Sequence, residues 1–150
     1  MAFELNEKRL ITTAYRMCLA NYDKKKMAHA QRVADYAAEI ALRDADFARH
    51  SYTETDAYVT GLLHDLLEDT HCSFDEFYST FPSHITEAVT ILTKEDDETY
   101  DQYIDRVLES ENILAFDVKK ADMKDHLALK DTLTDKLKAK YFPHIAKFLV

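Results

Sequence analysis

The chain reads as an all-α protein of one domain, and three observations carry that reading. Its 150 residues hold one Gly and two Pro, too few for the turns and bulges of a sheet. Apolar residues recur at i, i+3, i+4 and i+7, the spacing of an amphipathic helix. Residues 1–150 are also enough chain to bury one sizeable core, with no internal repeat or linker to divide it.

Taken in order, Leu5 to Tyr22 forms a first helix, with Leu10, Ile11, Ala14, Tyr15 and Cys18 as its apolar stripe. Asp23 and three lysines make a short polar link. A second helix, about Lys26 to Leu42, turns Val33, Tyr36, Ala37, Ile40 and Ala41 inward, and His29 lies one turn before Val33 on that side. Arg43 to Thr55 is polar and reads as a loop, a candidate to close over a site. Thr55 followed by Asp56 supplies an N-terminal cap for a third helix. Ser73 with Glu76 fits a capping box and opens a short helix to Tyr78 or Ser79. Pro82-Ser83 starts the next, where Ile85, Ala88, Val89 and Leu92 share a face. Glu95 to Glu98 break the chain, and Tyr100, Tyr103, Ile104, Val107 and Leu108 repeat the pattern. A helix from about Ile113 to Leu129 follows. Thr134 caps a last one, which Pro143 interrupts or ends. Seven or eight helices result.

The third helix carries the chemistry. Gly61 to Thr70 reads GLLHDLLEDT, with His64 and Asp65 in a leucine-rich run and Glu68 and Asp69 a turn later. If the helix is continuous, His64 shares a face with Glu68 and Asp65 with Asp69. Buried unpaired charges are too costly to persist, so such groups need each other, a metal or a ligand. His29 and Asp122 are further ligand types on other helices. Imidazole and carboxylate together suit a divalent ion such as Mn, Fe, Zn or Mg. Taken singly, His29 is equally a hydrogen-bonded core histidine, Asp122 a partner for Lys119 or His126, and Glu68 and Asp69 a solvated helix end. His50, His71, His84, His126 and His144 show no ligand spacing, and most of them read as surface residues.

Composition removes several classes of function. A formal charge of −9 disfavours a nucleic-acid binder, which needs a basic face. No run approaches the ~18 apolar residues of a membrane span. The N-terminus has no cleavage signature, so cytoplasmic is the expected location. Cys18 and Cys72 are far apart with no C-x-x-C, so neither a disulfide framework nor a zinc knuckle is expected, and Cys18 falls on the first apolar stripe.

Several ordered motifs together resemble the HD-domain metal-dependent phosphohydrolases, and more narrowly the hydrolase domain of RelA/SpoT proteins and the small alarmone hydrolases. They are His29-Ala-x-x-Val-Ala34, HDLLEDT at His64 to Thr70, AVTILTK at Ala88 to Lys94, Glu98-x-Tyr100 with Tyr103, and VKKADMKD at Val118 to Asp125. The resemblance covers about residues 25–130. It implies a helical HD-domain fold around one divalent ion, usually Mn in this branch, held by His29, His64, Asp65 and Asp122. Glu68 and Asp69 would then position and deprotonate the attacking water. Lys94, Lys119, Tyr100, Asp125 and His126 would contact substrate. For Lys94 the alternative is a cation in the last turn of its helix, and for Tyr100 core packing.

The implied partner is a small anionic nucleotide, with neither nucleic acid nor membrane involved and assembly as a homo-oligomer left open. The implied reaction is removal of the 3′-pyrophosphate of guanosine tetra- or pentaphosphate. Where the family has Asn after its last Asp motif this chain has His126, and the segment DKKKMAHA lacks the Gly and Pro found there in relatives. Those departures keep two alternatives in view. One is hydrolysis of another phosphoester, such as a deoxynucleoside monophosphate; the other is a non-catalytic nucleotide sensor.

Overall fold

A computed structural model describes residues 2–43, 52–128 and 134–148, with backbone alone for 2–5 and 69. Among these residues the regular structure is helical throughout, as the composition required. The helices are α1 (Ala2–Asn21), α2 (Lys24–Arg43), α3 (Glu54–Leu63), α4 (Leu66–Asp69), α5 (Phe74–Thr80), α6 (Ser83–Ile91), α7 (Tyr100–Glu109), α8 (Ile113–Ala128) and α9 (Asp135–Ile145). A 3₁₀ turn, Ala146–Phe148, follows α9. That is nine among the described residues, against an expectation of seven or eight. Residues 44–51 of the expected loop lie outside the described residues, as does His50.

Most helix starts follow from local capping chemistry. The Ser73, Thr99 and Thr134 side chains each accept from the backbone N–H three residues on. The cap of α3 is Thr53 rather than Thr55. Its hydroxyl accepts from the Asp56 N–H at 3.1 Å, and the Asp56 carboxylate accepts from the Thr53 N–H at 3.0 Å. This reciprocal box needs Asp three residues after the cap, so Thr55 falls inside the first turn. Pro143 sits within α9, which runs two residues further before tightening into the 3₁₀ turn.

Helix α2 is the centre of the molecule, packing most extensively on α3 and on α8. Its alanines make that possible. Ala30, Ala34 and Ala37 are fully buried, and the single glycine, Gly61 of α3, faces Ala34. A Cβ on Gly61 would lie 2.7 Å from the Ala34 Cα, closer than packed atoms come. The backbones of α2 and α3 therefore touch at this point, and only Gly allows it.

Two apolar clusters flank this contact. Val59, Leu62, Leu63, Leu66, Phe77, Ile85 and Val89 join Ala14 and Cys18 of α1. Val33, Ala37, Ile104, Val107, Val118, Ala121 and Met123 join Tyr141 and Phe148 from the far end of the chain. The polar centre described next is set on the α2 face between α3 and α8.

Candidate metal centre

The leucine-rich run is not one continuous helix. Helix α3 stops at Leu63, and His64-Asp65 form a turn before the single turn of α4. Asp65 has φ −100° and ψ 0°, the sparsely populated bridge region where many active-site residues sit. The same-face pairing of His64 with Glu68 and Asp65 with Asp69 assumed an unbroken helix and is corrected here. The cause of the break lies outside the run. Cys18 Sγ of α1 and Tyr22 Oη, one residue past its end, both donate to the Leu62 carbonyl, at 3.3 and 2.9 Å. His64 Nδ1 takes the Gly61 carbonyl at 2.7 Å. Side chains thus satisfy two carbonyls that a continuing helix would have used.

The break aims His64 and Asp65 at residues from two other helices. His29 Nε2 of α2 lies 2.9 Å from Asp122 Oδ1 of α8, and His64 Nε2 lies 3.3 Å from the same oxygen. Asp65 Oδ2 is 3.3 Å from His64 Nε2 and 3.7 Å from His29 Nε2. One donor atom each from His29, His64 and Asp122 lie mutually within 4.8 Å, and all three residues are buried. The structure therefore brings three of the expected ligands, His29, His64 and Asp122, to one point, and places Asp65 beside the two histidines.

Each imidazole is turned by a partner at its other nitrogen. Asp125 Oδ2 accepts from His29 Nδ1 at 2.6 Å, and Arg32 in turn donates to Asp125 at 2.7 and 3.2 Å. With Nδ1 carrying the proton in both rings, each Nε2 presents a lone pair to the centre. His29 Nε2, His64 Nε2 and Asp122 Oδ1 are buried yet hydrogen-bond to nothing among the described residues. Three orphaned donor atoms on one point are what a divalent ion requires, and the mixed nitrogen and oxygen set fits one.

Electrostatics agree with that fit. Burial opposes charge on both His64 and Asp122, but their neighbours outweigh it. Lys119, followed by the three surrounding histidines, holds Asp122 well below the ordinary carboxylate range. Asp65 and Asp122 hold His64 well above the ordinary imidazole value. Asp65 is likewise lowered, against burial, chiefly by His64. A cation is therefore favoured at this point, whether a proton or a metal.

A cavity of about 240 Å³ opens beside the donors, walled by Glu68, Lys94, Tyr100, Lys119, His126, Lys140 and Tyr141 among others. A larger space of about 490 Å³ lies elsewhere, walled by Ile40, Met123, Leu127 and Phe148, and has no cluster of reactive groups. Chemistry rather than volume picks out the smaller one.

The other expected residues divide. Glu68 is exposed on the cavity wall, and its Oε2 accepts from the Lys94 N–H at 3.3 Å. The Asp69 side chain lies outside the described residues. Lys94 and Tyr100 face the cavity, Tyr100 with a buried hydroxyl that has no hydrogen-bond partner among the described residues. Lys119 is buried against Asp122 at 2.9 Å, which makes it the counter-ion of that carboxylate. His126 Nε2 stands 3.2 Å from Asp122 Oδ1, with its ring stacked on Tyr141. Asp125 is different. Both of its oxygens are taken by Arg32 and His29 and its side chain is 1% exposed, so it stands behind His29 and does not line the cavity, contrary to the expected substrate contact. His144, expected at the surface, is buried and meets Asp101 at 2.7 Å.

Sequence reasoning missed Arg32, Lys26, Lys140 and Tyr141. Lys26 Nζ holds Asp65 Oδ2 at 3.2 Å. Arg32 and Lys26 flank His29 at three residues on either side, a signal available in the sequence. Lys140 and Tyr141 come from α9 and had none.

A family model described as the HD domain matches residues 27–140. The chain belongs to the HD-domain family. No curated protein matches the sequence. The matched span of this HD-domain protein contains all four ligand candidates and reaches Lys140 of α9, while α1 precedes it. Membership assigns the chain to a superfamily of metal-dependent phosphohydrolases. No helix among the described residues is long and apolar enough to cross a membrane.

Proposed function

We propose that this HD-domain protein is a nucleotide phosphohydrolase that uses one divalent ion, Mn, and removes the 3′-pyrophosphate of guanosine 3′,5′-bis(diphosphate). The observation that carries the hydrolase reading is the convergence of His29 Nε2, His64 Nε2 and Asp122 Oδ1, buried and unpartnered, beside a cavity lined with cations. The alarmone substrate is supported by the ordered motifs alone, HDLLEDT and VKKADMKD above all.

His29, His64, Asp65 and Asp122 hold the ion in this reading. When bound, it lowers the pKa of water and polarises a phosphoryl oxygen. Glu68, with Asp69, orients the attacking water and accepts its proton. Lys94 and Tyr100 fix the phosphates. The new bond joins water oxygen to the phosphorus on the 3′ oxygen, and the bond from that oxygen to phosphorus breaks. The 3′ oxygen takes a proton, leaving GDP and pyrophosphate.

Purified protein with the alarmone, assayed for pyrophosphate with and without Mn, tests this directly. Release that requires Mn is the expected result. Absence of release from protein carrying the ion would remove this substrate. A second reading is favoured by one observation: His126, with its ring against Tyr141, occupies the position where the alarmone branch has Asn. On that reading the substrate is another phosphoester, such as a deoxynucleoside monophosphate, and a substrate panel separates the two.

A further inference from the structure

Four lysines line the cavity beside the metal ligands: Lys26, Lys94, Lys119 and Lys140. Lys26 pairs with Asp65 at 3.2 Å and Lys119 with Asp122 at 2.9 Å, so the ligand carboxylates account for these two. Lys94 and Lys140 pair with no carboxylate among the described residues. Lys94 Nζ donates to the Glu95 carbonyl at 3.2 Å. Lys140 Nζ stands 4.7 Å from the centre of the Tyr100 ring and 5.3 Å from that of Tyr141. A ring face attracts an ammonium but leaves its charge uncancelled. Lys140 is exposed at the cavity edge; partial desolvation and the nearby Lys119 lower its pKa, with Asp122 and Glu68 opposing. The Tyr100 hydroxyl is buried with no hydrogen-bond partner among the described residues.

We propose that Lys140 is a substrate-binding residue which, with Lys94 and the Tyr100 hydroxyl, holds an anionic group of the substrate separate from the phosphoryl at the metal ligands. The inference rests on the phosphohydrolase reading and narrows its substrate class. A substrate with one phosphate satisfies the metal centre alone. One with a second phosphate also neutralises the two cations that the protein leaves unpaired. The last helix, whose other end lies far from the ligands in sequence, is thereby part of the site.

The test uses the full chain loaded with Mn, and inorganic pyrophosphate and orthophosphate as probes, followed by calorimetry. Lys140→Met keeps the apolar stem over the two rings and removes the charge. It should weaken pyrophosphate binding by about tenfold or more, with a smaller effect on orthophosphate, and Lys140→Arg should restore most of the loss. Lys124→Met is the control, because the Lys124 ammonium lies 4.5 Å over the Tyr36 ring and lines no part of this cavity. It should change neither probe. Pyrophosphate binding by Lys140→Met equal to that of the parent, with folding intact by circular dichroism, would overturn the proposal.

Two further outcomes separate this inference from the reading beneath it. Pyrophosphate binding that depends on Lys140, with no turnover of any phosphoester, would support the anion site and remove the hydrolase. Turnover with KM unchanged in Lys140→Met would keep the hydrolase and overturn the site.

Discussion

Asp125 shows how much a single buried residue can do without touching the chemistry. Its carboxylate fixes the His29 proton on Nδ1, and Arg32 fixes the carboxylate. Asp125→Asn keeps the shape and loses the charge that orders both. Metal affinity should fall about 10- to 100-fold, read by titrating Mn into metal-free protein. Glu68→Gln should behave in the opposite way. Glu68 is exposed and lies outside the buried donor set, so the ion stays bound while the rate falls by about 10² to 10⁴. Metal content and turnover measured on one sample separate the two roles. An unchanged rate would take Glu68 out of the reaction.

At the scale of the element, the active geometry depends on how helices end. Helix α3 ends where Cys18, Tyr22 and His64 side chains take its last carbonyls, and α6 ends in the same manner. Tyr103 of α7 donates to the Leu92 carbonyl, and Arg106 donates to those of Ile91 and Thr93 as well as to Glu98. This holds the segment that carries Lys94. The Arg106 hydrogen bonds lower the Glu98 pKa. A depressed carboxylate adds stability that is fully present above its unfolded value of about 4.3 and is lost as pH falls through the folded one. Glu98→Gln should therefore cost about 1 kcal/mol at neutral pH, with the gap to the parent closing in strong acid, as urea midpoints across pH will show. Gly61→Ala sets two effects against each other. Alanine favours a helix by about 1 kcal/mol. Its Cβ, however, would meet the Ala34 backbone at 2.7 Å, and overpacking costs about 1–3 kcal/mol. Net destabilisation and weaker metal binding are expected, because the same contact sets His64 against His29; a gain in urea midpoint would contradict the packing argument.

For the whole molecule, the sequence makes some features readable and hides others for physical reasons. Helix class and most helix starts are local properties, written in apolar spacing and in residues such as Ser73 and Thr134. The His64-Asp65 break was hidden, because Cys18 and Tyr22, some forty residues earlier in the chain, help to make it. Spacing also could not join His29 and Asp122 to that pair; the resemblance did so, and packing of α2 on α3 and α8 supplies the reason. Lys140 was beyond reach, since only the tertiary fold carries α9 over the cavity. What unites these parts is one claim, that the fold exists to present His29, His64, Asp65 and Asp122 to one divalent ion. Metal content measured on the parent chain and on Asp122→Ala, after equilibration with Mn and gel filtration, tests it most directly. The account predicts one ion per parent chain and almost none in the variant, with the variant still helical by circular dichroism. Equal metal in a folded Asp122→Ala would contradict it.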